Sequence, residues 1–253
     1  MTVHDSHVHV GQFENMYFSP QDVVDFMDKV HVDKFAVSST TVCAEEHEKS
    51  ISEIKELIEI ASDRVIPVLW VTPRMFRENL LSVYTTSDIN WRCVKVHGLQ
   101  NWTFSEIETV ADSTQKTRLP LLLHTGGAPQ CDAGQYYSLC KEYKNQWIIL
   151  AHSRPCDETI NIMLDCQNAW ADTAFTPITD IIKMIEAGLD ERILWGSDYP
   201  IPHWFYPRRN ILKMYSAKVI KLKQLLPQDS FEKIMFKNFE TMFSKQIVAN
   251  IQN

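Results

Sequence analysis

The sequence is short of glycine, of positive charge and of long apolar runs. Lys and Arg number 25 against 32 Asp and Glu, which gives a net charge of −7. Proteins that bind nucleic acids or anionic membranes generally present Lys/Arg patches, so we expect neither partner. No apolar stretch approaches the roughly 20 residues that a membrane-spanning helix needs. These shortages favour an acidic globular protein.

The sequence also lacks paired metal-binding cysteines. Its 6 cysteines include no CxxC and lie between positions 43 and 166, so we interpret them as reduced thiols. A candidate strand begins almost at Met1, which leaves no room for a signal peptide. We therefore predict a cytoplasmic protein that acts on a small molecule. A homodimer is one possible assembly.

Eight segments are typical of buried parallel strands. They lie near residues 3–9, 33–39, 65–71, 92–97, 119–124, 147–152, 168–174 and 193–198. A helical pattern follows each, and Ser19-Pro20 and Thr176-Pro177 are typical helix starts. This alternation predicts an α/β fold, a (β/α)8 TIM barrel with an extra C-terminal helix, as a single domain over residues 1–253. Pro67 and Pro120 are compatible only with strands that start at these prolines.

Histidine and aspartate recur where the predicted strands end. His7 and His9 end the first strand, His124 the fifth, His152 the sixth and Asp198 the eighth. The carboxyl ends of barrel strands converge on one mouth, so we expect these side chains to meet there. His7 and His9 also share one face of their strand, because side chains alternate with a period of two.

Each of these residues taken alone has a simpler interpretation. A histidine that ends an apolar run is more often a hydrogen-bonded core residue than a ligand, and Asp198 could be a turn or cap residue. Chance and core histidines do not explain well why all five end strands of one barrel. Glycine supports the site interpretation, because 4 of the 7 glycines lie within two residues of a strand-end His or Asp.

Five motifs together resemble the amidohydrolase superfamily, in particular the branch that includes aminocarboxymuconate-semialdehyde decarboxylase-like enzymes. DSHVH is similar to the family's Asp-x-His-x-His opening, VKVHG to its fourth-strand Lys-x-His and LLLHTG to its fifth-strand His. ILAHSRP resembles the sixth-strand His and WGSDYP the eighth-strand Gly-Ser-Asp-x-Pro. The resemblance extends from residue 3 to about residue 243. It departs from the family near the end, where Thr241 stands in place of the usual Arg.

The resemblance implies a metal site with His7, His9, His124 and Asp198 as ligands and His152 beside it. Three imidazoles and a carboxylate suit one Zn²⁺ ion, with Mn²⁺, Fe²⁺ or Co²⁺ as alternatives. Asp198 and His152 are then the candidate catalytic residues. They would move protons between a metal-activated water and the substrate.

Lys95 leaves the number of metals open. In binuclear relatives a carbamylated fourth-strand lysine bridges two metals, so a binuclear site with a modified Lys95 is one alternative. A mononuclear site is favoured, since a deep lysine can more simply pair with a carboxylate such as Asp5.

Four residues in or near the predicted loops are candidate substrate-binding residues: Arg154, Arg74, His97 and Trp204. Arginine binds carboxylates through two parallel hydrogen bonds, so Arg154 and Arg74 indicate an acidic substrate. Arg154 lies two residues after His152, so the two can share one side of the strand end. Arg154 could instead turn outward and pair with Asp157 or Glu158.

Three functions remain open. The leading hypothesis is a metal-dependent hydrolase that cleaves an amide, lactone or ester bond of a small, carboxylated molecule. The alternative is a non-oxidative, metal-dependent decarboxylase on the same barrel. A binding protein built on an inactive barrel is disfavoured, because every expected ligand is present.

Overall fold

The computed structural model describes residues 1–78 and 88–243, and within them the predicted (β/α)8 barrel is confirmed. Its parallel strands are β1 (His4–Phe13), β3 (Lys34–Ser39), β4 (Val65–Val71), β5 (Cys93–Val96), β6 (Leu121–His124), β7 (Ile148–Ala151), β8 (Ala169–Asp172) and β9 (Ile193–Leu194). Each overlaps one predicted segment. The short strand β2 (Met16–Phe18) was not predicted, and it pairs antiparallel with the end of β1.

The barrel closes between the first strand and the chain that follows the last one. The Ser6 N–H donates to the Trp195 carbonyl at 2.8 Å, and the Asp198 N–H donates to the His7 carbonyl at 2.8 Å. The His9 N–H donates to the Tyr199 carbonyl at 2.6 Å. Two segments that lie far apart in the sequence therefore deliver their His and Asp side chains side by side.

Helices surround the barrel. They are α1 (Pro20–Lys29), α2 (His47–Ala61), α3 (Pro73–Arg77), α4 (Phe104–Thr117), α5 (Tyr137–Glu142), α6 (Cys156–Asp165), α7 (Ile178–Glu186), α8 (Pro202–Phe205), α9 (Ile211–Leu225), α10 (Gln228–Glu232) and α11 (Asn238–Phe243). A π-helical turn over Lys233–Lys237 joins the last two, and together they form the predicted C-terminal helix. Among the described residues, no helix combines the length and the apolar character needed to cross a membrane.

Two local predictions need correction. Strand β4 begins two residues before Pro67. The proline is tolerated there because the Pro67 carbonyl still accepts the Arg92 N–H at 2.9 Å, and because the pairing of β4 with β3 ends at this residue. Thr176 does not cap α7: Pro177 holds the cap position, and the Thr176 hydroxyl donates to the carbonyl of His152 at 3.0 Å. The Ser19 cap of α1 is confirmed as a reciprocal pair with Asp22.

The apolar core has two parts. The larger part lies between the outer faces of the strands and the helices. The smaller part fills the barrel interior at the amino ends of the strands, where α11 inserts Phe239, Met242 and Phe243 between inward-facing residues such as Leu122 and Trp170. The interior is therefore closed by apolar side chains at one end, and its polar residues lie towards the other.

Candidate active site

The alternation of side chains along each strand turns the predicted site residues into the barrel. In β6, Leu121 and Leu123 pack towards the helices and Leu122 belongs to the interior core, so His124 also faces inward. Asp172 occupies the same inward phase of β8 two residues after Trp170. The site is thus built on strand ends rather than on flexible loops.

The histidines and the aspartate of the predicted metal site meet in the mouth of the barrel. The Asp198 Oδ1 atom lies 3.0 Å from His9 Nε2 and 3.2 Å from His7 Nε2. One ligand atom each from His7, His152 and Asp198 lies within 4.8 Å of the other two, a cluster that could hold a metal ion. His9 and His124 fall outside this tightest group, although His124 Nδ1 is only 3.1 Å from His152 Nε2.

Hydrogen bonds from the protein fix which nitrogen of the two β1 imidazoles is free. His7 Nδ1 lies 2.7 Å from the buried Asp172 carboxylate and donates to it, which leaves a lone pair on Nε2. His9 Nδ1 lies 3.3 Å from the Ser38 carbonyl and 2.9 Å from its hydroxyl, so its Nε2 is the nitrogen that faces Asp198 in the mouth. Such outer partners orient metal-binding histidines and raise their basicity.

The other two imidazoles are fixed in the same way. His152 Nδ1 donates to the Ala174 carbonyl at 3.1 Å, and His124 Nε2 donates to the Gly126 carbonyl at 3.1 Å. The remaining nitrogens, His152 Nε2 and His124 Nδ1, are both acceptors, and they face each other at 3.1 Å. Two lone pairs repel at this distance unless a proton or a cation lies between them. The donor set therefore fits a divalent metal.

The charge states agree with ligand chemistry. Burial, together with the charge of Lys95, lowers the pKa of His9 and of His124 to about 3. Burial also lowers the pKa of His97 and of His152 well below the usual range. Neutral imidazole is the form that binds metals. Burial alone would raise the pKa of Asp198, but the surrounding His7, His9 and Lys95 lower it to about 2, so this carboxylate is ionised.

Lys95 lies against the metal-site histidines and does not pair with Asp5. Its Nζ atom is 2.7 Å from His7 Nε2 and 3.1 Å from His9 Nε2, and burial lowers its pKa to about 8. The Asp5 carboxylate instead accepts the backbone N–H groups of His7 and Ser197 at 3.1 and 3.0 Å. The ammonium of Lys95 thus places positive charge at the lone pairs where a metal would bind.

A cavity of about 440 Å³ opens above these groups, and we call it the metal cavity after the predicted metal site at its base. It is lined by Phe13, Thr40, Trp70, Lys95, His97, Leu99, His124, Gly127, His152, Arg154, Phe175, Asp198, Ile201, Phe205 and Tyr206. His97 is held between the Trp70 ring, 5.4 Å away, and the His124 ring, 3.8 Å away, both nearly parallel to it. The structure therefore places His97 at the site, as an aromatic wall beside His124.

Arg154 faces this cavity. Its Nε atom is buried and has no hydrogen-bond partner among the described residues. The outward pairing considered from the sequence does not occur, because Glu158 accepts the Gly134 N–H at 2.7 Å and Asp157 lies 3.6 Å from Lys183. A Cβ atom at Gly126 would lie 2.8 Å from the Arg154 side chain, so glycine there gives the arginine its room.

Two predicted substrate-binding residues are not brought to the site. Arg74 is exposed and pairs with Glu45 and with Glu78, so its charge is already partnered outside the cavity. Trp204 is 43% exposed and contacts the edge of the Phe13 ring instead of lining the cavity. They lie in the short helices α3 and α8, whose directions relative to the mouth the spacing of the sequence does not determine.

Several site residues were not predicted. Asp172 accepts from His7 Nδ1 and also from the backbone N–H groups of His152 and Ala174, at 2.8 and 3.0 Å. Its signal was present, since WADTAF ends a strand with an aspartate as WGSDYP does. Phe175 had no signal of this kind, because it follows β8 and acquires its direction from the loop. Ser38 lies within β3, and nothing in a serine at that position indicated a contact with His9.

The backbone around the site is unusual in its dihedral angles. His152, Ser153, Phe175 and Asp198 all have positive φ, at 70°, 52°, 54° and 59°. This left-handed region is unfavourable for residues with a Cβ atom. The turns after β7, β8 and β9 therefore aim their side chains by adopting conformations that the local sequence does not prefer.

A scan against protein-family models and a search of curated proteins found no match for this chain. Solved structures do match in fold. An uncharacterised TIM-barrel protein from Bordetella bronchiseptica has a TM-score of 0.72 at 14% identity, over 96% of this chain and 98% of that one. A probable 2-pyrone-4,6-dicarboxylic acid hydrolase from Acinetobacter baumannii, with citric acid bound, has a TM-score of 0.68 at 13% identity, over 96% and 100%.

A third neighbour is a 2,6-dihydroxybenzoate decarboxylase in complex with 2,6-dihydroxybenzoate. It has a TM-score of 0.67 at 14% identity and covers 96% of this chain and 98% of its own. Amidohydrolase-superfamily barrels are thus among the structural neighbours, in agreement with the motifs. The similarity confirms the fold.

Proposed function

We propose that this protein is a metal-dependent hydrolase that cleaves an amide, lactone or ester bond of a small, carboxylated molecule. The observation that carries the proposal is the convergence of four imidazoles with the ionised Asp198 in one mouth, where each imidazole has one nitrogen bound to an outer partner and the other turned towards the site. Histidines that served only as core residues would not need to place two acceptor nitrogens 3.1 Å apart, as His124 and His152 do.

His7, His9, His124 and Asp198 would hold one divalent ion, for which Zn²⁺ is the best match to three imidazoles and a carboxylate. When bound, the ion supplies Lewis acidity and activates water at neutral pH. One ion is favoured over two, because three imidazoles and one carboxylate already make up the usual four-coordinate set. A binuclear site with a modified Lys95 stays the alternative.

The protein's own residues would handle the protons and the substrate. Asp198, ionised at neutral pH, can accept the proton of the attacking water. His152 has a free Nε2, so it can take up a proton there and deliver it to the leaving group. Arg154 can bind a substrate carboxylate, since its guanidinium faces the cavity and its Nε has no partner among the described residues. The rings of His97 and Phe175 can enclose a planar body.

A decarboxylase is the second candidate. An arginine and a cationic centre facing one cavity can also orient a carboxylate that leaves as carbon dioxide. One structural neighbour is described as a 2,6-dihydroxybenzoate decarboxylase. Release of carbon dioxide without consumption of water would identify this reaction.

The setting that we propose is the cytoplasm. All six cysteines are free thiols, which suits a reducing compartment. A homodimer stays a proposal that sedimentation of the purified protein would test.

Elemental analysis of purified protein, followed by a panel of lactones, amides, esters and carboxylic acids, tests the proposal. We expect about one zinc per chain and turnover of at least one carboxylated substrate in the panel. In Arg154→Met, we expect KM for acidic substrates to rise at least 10-fold, whereas KM for uncharged analogues stays within about twofold. A protein that cannot be loaded with any divalent metal would overturn the proposal.

A further inference from the structure

A second cavity, of about 290 Å³, lies beside the metal cavity and plays no part in the function proposed above. It lies between the chain that follows β9 and the helix α9, and it includes Trp195, Tyr199, Met214, Tyr215 and Lys218 in its lining. Most of the lining is aromatic or aliphatic. Of the described residues that line it, the lysine alone carries a charge.

Lys218 has no carboxylate partner among residues 1–78 and 88–243. Its Nζ atom donates to the Thr173 carbonyl at 2.7 Å and lies 5.4 Å from the centre of the Trp195 ring. An ammonium has three donors, so two remain available towards the cavity. The carboxylates of Asp172 and Asp5 attract its charge only from a distance, so an anion in direct contact within the cavity would further offset the cost of burying it.

Tyr215 supplies a second donor. Its hydroxyl oxygen accepts the Trp195 Nε1–H at 2.7 Å, and none of the described residues accepts the hydroxyl hydrogen. Tyr215 and Lys218 lie three residues apart on α9, which places them on the same face of the helix. An ammonium and a phenol that both line one apolar cavity match the two oxygens of a carboxylate.

We propose that this cavity is a second ligand site, which binds a small carboxylic acid with an aromatic or branched apolar body. The carboxylate pairs with Lys218 and Tyr215, and the apolar body packs against Met214 and the stacked rings of Phe26 and Tyr199. Phe175 and Tyr206 line both this cavity and the metal cavity, so its occupant contacts the wall of the candidate active site. The site does not depend on the proposed hydrolase activity.

Calorimetric titration of the metal-loaded protein with phenylacetate, and with its uncharged analogue phenylacetamide, tests this site. We expect phenylacetate to bind at least 10-fold more tightly than phenylacetamide, and Lys218→Met to weaken phenylacetate binding by about 10-fold or more. Lys221→Met removes an exposed lysine from the same helix and should leave the affinity unchanged. Arg154→Met should also leave it unchanged, which separates this site from the metal cavity.

Crystals soaked with 4-bromophenylacetate locate the ligand by the anomalous signal of bromine. A bromine peak between Tyr199 and Met214 supports the proposal. A peak only in the metal cavity, or phenylacetate affinity that Lys218→Met does not change, overturns it. If Lys218→Met does not fold, Met214→Trp fills the cavity while keeping the charge, and retained phenylacetate binding in that variant overturns the proposal equally.

Discussion

The two ends of the barrel differ in what they bury. At the amino end, α11 closes the interior with Phe239, Met242 and Phe243, and the buried His4 is paired with Glu240. At the carboxyl end, the barrel buries four imidazoles, a lysine and two carboxylates around a cavity. The first arrangement gains stability from apolar burial, whereas the second uses hydrogen bonds to orient its buried imidazoles.

This difference indicates which residues mainly determine the stability of the fold and which mainly determine activity. Substitutions of the α11 side chains that close the amino end should mainly lower stability. Substitutions at the mouth should change activity more than stability. Four predictions test that division.

The largest expected effect is on turnover at the mouth. His152→Ala should lower kcat by about 10²- to 10⁴-fold, because the proposed proton donor is lost, while metal content largely survives. Asp198→Asn should lower both kcat and metal content, because the ligand charge is lost. His4→Gln replaces a buried histidine at the amino end and should leave kcat within about twofold. Steady-state kinetics with elemental analysis checks this, and normal turnover in His152→Ala would refute its role.

The next effect is on stability at the amino end. Phe239→Ala should lower the free energy of unfolding by about 3–5 kcal/mol, because a fully enclosed ring is replaced by a cavity. Phe205→Ala is the matched control at the mouth, where the ring is 60% exposed, and should cost under about 1 kcal/mol. Urea titration measures both. Equal losses would erase the proposed division between the two ends.

Acid should destabilise the metal-free protein through the mouth. Burial lowers the folded-state pKa of His9, His97, His124 and His152, whereas unfolded histidines titrate near pH 6.5. Below that pH the unfolded chain binds more protons, so stability present above about pH 6.5 is lost as the pH falls. Asp5 acts in the opposite direction, because burial raises its pKa to about 7 and it favours the fold at low pH.

With four histidines against one aspartate, we expect a net loss of roughly 2–4 kcal/mol between pH 7 and pH 5.5. Urea titrations of metal-free protein at several pH values measure it. A free energy of unfolding that is flat, or that rises as the pH falls, would contradict neutral buried histidines.

The smallest expected effect is on metal affinity, through Asp172, which accepts a hydrogen bond from His7 Nδ1. Asp172→Asn should weaken metal affinity about 10- to 100-fold, because one amide oxygen cannot serve both His7 and the two backbone N–H groups. Asp165→Asn, a change at an exposed ion pair, should leave the affinity unchanged. Competition with a chelator measures the affinity. Unchanged affinity in a folded Asp172→Asn protein would show that the orientation of His7 does not depend on it.

The sequence was most informative where side-chain direction follows from periodicity. His124 could be placed because alternate residues of a strand share one face, and the parallel order of the strands brings their ends together. Arg74 and Trp204 were placed wrongly in the mouth because they lie in short helices after the strands, where the period of the strand no longer applies. Contacts with Glu45 and Phe13 decide their direction instead. Lys95 was correctly judged deep, but its partner could not be deduced, since the closure of the barrel sets His7 and His9 against it.

The left-handed backbone at His152, Ser153, Phe175 and Asp198 has a consequence for protein engineering. Each such residue costs roughly 1–2 kcal/mol relative to a conformation it prefers. Laboratory selection for heat resistance alone would therefore favour glycine or a remodelled turn at these positions. Each of those gains would come from releasing a side chain that the fold now aims, so a selected variant would grow sturdier as it lost its catalytic competence. A screen for thermal tolerance should carry an activity threshold from its first round.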